Sequence, residues 1–221
     1  MILAIYGTSG AGKETLQIVI DILKVNPRRW SKIVFIDDTK DIGCFNDFEM
    51  MPFDIFKDKY SPEDTEIHIA IGNIYTKQLI LEKISNLGYN TATLIHPSVI
   101  IGNNVTIGRG VSVKMGVVIE DNCTIGDQTW VQQYCIIKEN TIINHMCQLS
   151  AKCIIGCNCN VSSYTFVGMH ALVKSQIDIG KNVLIAMGTI VIKDIPDNAF
   201  CMGNPGRVLK IEKGQHKIFN S

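Results

Sequence analysis

The chain has 221 residues, with 21 basic side chains against 21 acidic ones and so no formal net charge. That balance argues against a partner recognised mainly by charge, such as nucleic acid or an anionic membrane. Hydrophobic residues make up 46% and aromatics only 7%, so the sequence can bury a large core that must be aliphatic. No apolar run reaches the roughly 18 residues of a membrane span. The opening MILAIYGTSGAGKE lacks the basic start of a signal peptide. The eight cysteines therefore read as reduced thiols of a cytoplasmic protein rather than a disulfide scaffold.

In chain order, residues 2–6 form a short apolar run that fits a buried strand. The loop Gly7-Thr8-Ser9-Gly10-Ala11-Gly12 follows, then a helical pattern over 13–25 with Leu16, Val19, Ile20 and Leu23 on one face. Asn26-Pro27 ends it. A second strand over 32–36 closes on Asp37-Asp38, and a third over 66–71 is followed by Gly72-Asn73. A helix over 75–87 and a strand over 91–95, stopped by His96-Pro97, complete the segment. Strands alternating with helices imply a parallel sheet with crossover helices, so a small Rossmann-like domain is expected over residues 1–95.

A glycine-rich loop between a strand and a helix is a place where backbone N–H groups bind phosphate. It can equally be a tight turn. Gly7, Gly12 and Lys13 fit G-x-x-x-x-G-K, but Glu14 stands where a nucleotide-hydrolysing P-loop carries its magnesium-binding hydroxyl. The glycine spacing is not the dinucleotide fingerprint either. Asp37-Asp38 can bind a ribose or uracil edge, or simply form a solvated turn.

From Ile100 the sequence repeats every six residues. The second residue of each six, from Ile101 to Val191, is aliphatic sixteen times in succession. The sixth is always small or β-branched, and the fifth is often Gly or Asn, which tolerate left-handed backbone at corners. A period of six means short strands separated by corners and stacked as a parallel β-helix. Cys123, Cys135, Cys147, Cys153 and Cys159 fall in the sixth position, where small inward side chains are needed; Cys44, Cys157 and Cys201 lie outside the pattern. Trp130, Tyr134 and Tyr164 point outward in this register. Two histidines in the repeat, His145 and His170, are too few for a three-imidazole zinc site, and no metal is expected.

Several segments carry a family resemblance. They are the hexapeptides, the glycine-rich start, Ile36-Asp37-Asp38, Ala70-Ile71-Gly72-Asn73, Leu94-Ile95-His96-Pro97, the run 191–198 and Gly203-Asn204-Pro205-Gly206-Arg207. Together they resemble bacterial sugar acyltransferases of the sialic-acid O-acetyltransferase and PglD type. The resemblance implies a left-handed parallel β-helix over residues 96–221, ending in a C-terminal tail, and a homotrimer with acetyl-CoA in the groove between neighbouring β-helices. It places that groove along Gln148, Cys157, Gly168, Met169, Met187 and Gly188. It assigns a nucleotide-linked amino-sugar to the N-terminal domain, through Gly7, Ser9, Gly10, Gly12, Asp37, Asp38, Gly72 and Asn73.

The sequence departs from the family at its catalytic motif. The family reads V-I-E-H-D-C, with the histidine as general base; here Ile136-Ile137-Lys138-Glu139-Asn140-Thr141 stands in its place. A second family histidine is Gln148. His145 belongs to the next corner of a triangular coil and would point about a third of a turn away. Three readings follow. The first is an N-acetyltransferase of surface glycan synthesis using Glu139 as base with Lys138 beside it. The second is a non-catalytic trimeric binding protein. The third is an acyltransferase with another acceptor, a sugar hydroxyl included.

Overall fold

Apolar runs closed by Gly or Asp become the strands that organise the first part of the chain. The computed structural model describes residues 1–211; residues 212–221, the end of the expected C-terminal tail, lie outside the described residues. The chain divides into two units, Met1–Leu94 and Ile95–Ser221.

In the first unit, strands β1 (Ile2–Tyr6), β2 (Lys32–Ile36), β3 (Gly43–Phe45), β4 (Phe48–Met51), β5 (Thr65–Ile69) and β6 (Asn90–Thr91) form one sheet, in the order β3-β4-β2-β1-β5-β6. Helices α1 (Gly10–Val25), α2 (Phe53–Lys59) and α3 (Ile74–Asn86) connect them. β1 runs parallel to both β2 and β5. Side chains alternate along it: Leu3 and Ile5 pack with Leu16, Val19 and Ile22 of α1, while Ala4 and Tyr6 pack with Phe53, Ile80 and Ile84 on the other side. The β3-β4 hairpin and α2 are absent from the sequence reading. The hairpin turns on Asn46 and Asp47, both at positive φ, without the Asn-Gly that announces such a turn. The expected strand over 91–95 is two short ones, β6 and Leu94–Ile95, the latter part of an eight-stranded sheet in the repeat.

In the second unit the first two residues of each six form a strand. Ile100 pairs with Val118, Val118 with Ile136 and Ile136 with Ile154, so one coil is 18 residues, or three sixes. The result is a three-sided parallel β-helix with sheets of eight, six and five strands. The second- and sixth-position side chains from Val111 to Ile195 fill its interior. The last coil is shorter: Ile185 pairs with Cys201, 16 residues on. Cys201 thereby takes an inward second position and is fully buried, although its spacing had set it outside the pattern. Trp130 is outward in register yet only 8% exposed, and its strand partners Ser112 and Gln148 are buried as well.

The corners follow one rule. All fifteen fifth positions from Asn104 to Gly188 have positive φ, including Gln128, Tyr134, Met146, Lys152 and His170. The sixth-position residues have a polar task besides filling space. The Thr141 hydroxyl donates to the Gly156 carbonyl of the next coil at 2.8 Å, and Thr129 and Thr165 repeat that bond to Asn144 and Gly180 at 2.9 Å. The thiols of Cys123, Cys135, Cys147 and Cys159 reach the equivalent carbonyls at 3.1–3.3 Å. Thr and Cys share this position from Cys123 to Thr165 because both offer a small donor to a carbonyl the coil leaves open. Burial pushes the Cys147 thiol up to about 12, so it remains a protonated donor at neutral pH. Thr141→Val keeps the shape and removes the donor. Urea unfolding should show a loss of about 1–3 kcal/mol for it and a loss under about 1 kcal/mol for Thr141→Cys.

Candidate functional sites

The carboxyl ends of β1, β2 and β5 meet at a switch point of the parallel sheet, the usual ligand site of open α/β sheets. A cavity of about 460 Å³ opens there, lined by Tyr6, Gly7, Thr8, Ser9, Asp37, Asp38, Thr39, Ile71, Thr76, Leu79, Ile80 and Lys83. Ser9 is the N-cap of α1, and its side chain makes no cap hydrogen bond. The helix has no acidic residue in its first turn, so its N-terminus offers N–H donors and a positive dipole end to an anion.

The two aspartates are separately held. Asp37 accepts from the Thr39 hydroxyl at 2.6 Å, from the Thr39 N–H at 3.0 Å and from the Thr8 hydroxyl. Burial pushes its carboxyl up, but those bonds outweigh burial and hold it below the usual range. Asp38 accepts from the Tyr6 hydroxyl at 2.6 Å, the Phe53 N–H at 2.7 Å and the Lys83 ammonium at 3.1 Å. Burial again pushes upward, and these partners keep the carboxyl below its ordinary value. Tyr6 is pushed up by burial and by Asp38, so it stays a donor. Both carboxylates are therefore ionised acceptors in a partly closed cavity.

Gly7, Ser9, Asp37 and Asp38 are brought together here, while Gly10, Gly12, Gly72 and Asn73 do not line the cavity. Asn73 caps α3, accepting from the Thr76 N–H at 2.9 Å. Gly7 lies at φ +115, and a side chain on Gly12 would run into the Gly7 carbonyl, so both glycines serve the close strand-to-helix turn. A side chain on Gly10 would meet open space. Thr8 belongs to the expected glycine-rich loop, whereas Tyr6, Thr39 and Lys83 were not singled out as site residues; the ends of β1 and β2 and the packing of α3 bring them in.

Lys138 and Glu139 sit at the corner that follows the six-stranded sheet. A second cavity of about 280 Å³ opens there, lined by Ile100, Gly102, Val118, Ile119, Glu120, Asp121 and Glu139. Lys138 does not turn to Glu139: its ammonium donates to Glu120, one coil earlier, and Glu120 raises the Lys138 pKa. The other Glu120 oxygen accepts from the Glu139 N–H at 3.3 Å. Glu139 itself is exposed. Glu120 was overlooked, although a coil of three sixes puts it directly beside Lys138. His145 lies on the next corner, its Nδ1 2.9 Å from the Ser163 hydroxyl, away from Glu139.

Of the residues assigned to the acetyl-CoA groove, Gly168, Met169, Met187 and Gly188 stack on the corner before the six-stranded sheet, where the Gly188 N–H donates to the Met169 carbonyl at 2.8 Å. Cys157 lies one coil after Glu139 on the other corner, and Gln148 is buried on a face between Trp130 and Phe166. One chain therefore divides these residues between separate corners. Among the described residues no cluster of His, Cys, Asp or Glu is arranged to hold a metal ion, and no helix is long and apolar enough to cross a membrane.

Residues 2–84 match the PglD N-terminal domain, and residues 86–172 match the GMPPB C-terminal domain. The acetyltransferase domain of PglB from Neisseria gonorrhoeae FA1090 superposes with a TM-score of 0.69 at 26% identity, covering 94% of this chain and 99% of that one. The first part of the chain thus matches the PglD N-terminal domain, and the chain as a whole has the fold of that acetyltransferase domain. The same PglB domain solved in complex with acetyl coenzyme A matches with a TM-score of 0.65. WeeI from Acinetobacter baumannii AYE shares the fold at 22% identity and a TM-score of 0.68, covering 95% of this chain and all of that one. PerB from Caulobacter crescentus, in complex with CoA and GDP-perosamine, shares it at 22% identity and a TM-score of 0.59, covering 95% and 98% of the two chains. No curated protein matches the chain.

For this PglD-type loop the two glycines make opposite predictions. Gly12→Ala should lower unfolding stability by about 1–3 kcal/mol through overpacking. Gly10→Ala, in the first turn of α1, should leave it unchanged or raise it by up to about 1 kcal/mol.

Proposed function

We propose that the chain transfers an acetyl group from acetyl-CoA to the amino group of a nucleotide-linked sugar, in the cytoplasm and for surface glycan synthesis, with Glu139 as the general base. The observation that carries this is the Glu139 carboxylate, exposed at the corner where the family motif has its histidine, beside a cavity and in no salt bridge among the described residues, with the adjacent Lys138 ammonium bonded to Glu120. The end-to-end likeness to an acetyltransferase domain solved with acetyl coenzyme A supports it.

The chemistry asks little of the protein. The amine nitrogen attacks the thioester carbonyl, the C–S bond breaks, and CoA leaves as a thiolate that takes up a proton. Glu139 accepts the proton the nitrogen loses. A thioester is already activated, so holding the two reactants together supplies much of the rate. In the first unit, the diphosphate would lie against the N-terminus of α1, with Asp37 and Asp38 accepting from hydroxyl or base N–H groups of the nucleotide. In the repeat, Gly168, Met169, Met187 and Gly188 would hold CoA.

Those CoA residues and Glu139 lie on different corners of one chain, so a site that uses both needs a second copy. The outward side chains of the six-stranded sheet, Ile100, Val118, Ile136, Ile154, Leu172 and Ile190, form an unbroken aliphatic ladder on which copies can pack into the trimer. A non-catalytic reading is favoured by one fact, that both family histidine positions are changed, to Glu139 and Gln148. It requires binding of CoA and sugar nucleotide without transfer.

Glu139→Gln separates the two readings. Turnover should fall about 10²- to 10⁴-fold with the acetyl-CoA dissociation constant unchanged. An unaltered turnover number would overturn the role of Glu139.

A further inference from the structure

At four corners of the β-helix the fourth-position N–H group is capped by a side chain from the next coil. Asn103 N donates to Asp121 Oδ1 at 2.7 Å, Arg109 N to Asp127 Oδ1 at 2.8 Å, Cys157 N to Ser175 Oγ at 3.1 Å, and Lys181 N to Asp197 Oδ1 at 2.7 Å. In each case the acceptor is the fourth-position side chain one coil later, or its equivalent in the shortened coil. Glu139 takes part in this pattern neither as donor nor as acceptor. The residue one coil after it is Cys157, a weak acceptor, and the Glu139 carboxylate caps no N–H group among the described residues. The Glu139 N–H is served instead from the coil before, by Glu120.

Glu120 does two things at once. One oxygen takes the Lys138 ammonium and the other takes the Glu139 N–H. Lys138 is adjacent to Glu139 in sequence and would be its nearest counter-ion. We infer that Glu120 is a positioning residue, which bonds the Lys138 ammonium and fixes the Glu139 backbone so that the Glu139 carboxylate is left outside any salt bridge and able to take a proton. The inference rests on the role proposed for Glu139. Among the described residues, the charged and titratable groups at that corner are Glu120 and Asp121 from the coil before, Lys138 in its own coil and Cys157 from the coil after. Lys138 is the cation among them, so its placement decides how closely the base is paired.

The test uses the full-length protein carrying Glu120→Gln, Glu120→Gln with Lys138→Met, and Glu139→Gln. Turnover in Glu120→Gln should fall about tenfold with the KM for acetyl-CoA unchanged, because the released Lys138 ammonium pairs with Glu139 and weakens it as a base. Adding Lys138→Met should return turnover toward that of the parent protein. A residue that merely supports the fold would leave the double variant as slow as the single one, and that result overturns the inference. A second readout needs no substrate. With ¹³C-carboxyl-labelled glutamate, the resonance missing in Glu139→Gln is that of Glu139. Its chemical shift should move in Glu120→Gln, as the released Lys138 ammonium pairs with it, and move back in the double variant. An unmoved resonance also overturns the inference. If Glu139→Gln leaves turnover unaltered, the proposed function fails, while the resonance still judges Glu120 by itself.

Discussion

Every coil of the repeat depends on residues held in left-handed backbone. Without a turn at each fifth position the chain could not bend through three corners and return to pair with itself 18 residues on. For side chains other than Gly and Asn that conformation costs about 1–2 kcal/mol, and Tyr134, Met146 and Lys152 adopt it all the same. What holds them is the stack. Their N–H groups donate to Met115, Asp127 and Gln133 of the coil before at 2.8–3.1 Å. The aliphatic column inside and the Thr and Cys donors at the sixth positions lock the same coils from within. Local strain is thus tolerated because many neighbouring bonds over-determine each corner.

That regularity makes the departures informative. A corner side chain that caps no N–H group is released from that structural duty. Glu139 caps nothing, and the task that would fall to its neighbours is taken by Glu120. In the first unit the same logic runs through hydrogen bonds: Asp37 and Asp38 are fixed by Thr8, Thr39, Tyr6 and Lys83 and keep their charge in spite of burial. In the first unit Asp38 keeps its charge paired with Lys83, whereas Glu139 in the second enters no salt bridge among the described residues.

Much of this was legible in the sequence. The six-residue period gave the strand positions, the inward residues and the corners, because each is a short-range pattern repeated many times. Ile2–Tyr6 and Lys32–Ile36 were readable as buried strands bounded by turn residues. The β3-β4 hairpin was not, since Asn46-Asp47 is a weak turn signal between short strands. Cys201 misled because a two-residue shortening of the last coil shifts its register. Glu120 and Lys83 were missed for a common reason. Their roles arise from contacts across 18 and 45 residues, with Lys138 and Asp38 respectively, which one-dimensional periodicity does not display.

The most direct measurement incubates the purified protein with acetyl-CoA and a panel of UDP-, GDP- and dTDP-linked amino-sugars and reads the products by mass spectrometry. Mass detection is needed because the exposed Cys44 and the half-buried Cys157 thiols would react with a dye that reports released CoA. The account predicts an acetylated amino-sugar nucleotide from at least one acceptor, formed without the family histidine. Measurable binding of CoA and nucleotide with no acetylated product from any acceptor would contradict it and leave the chain a binding protein on an acetyltransferase scaffold.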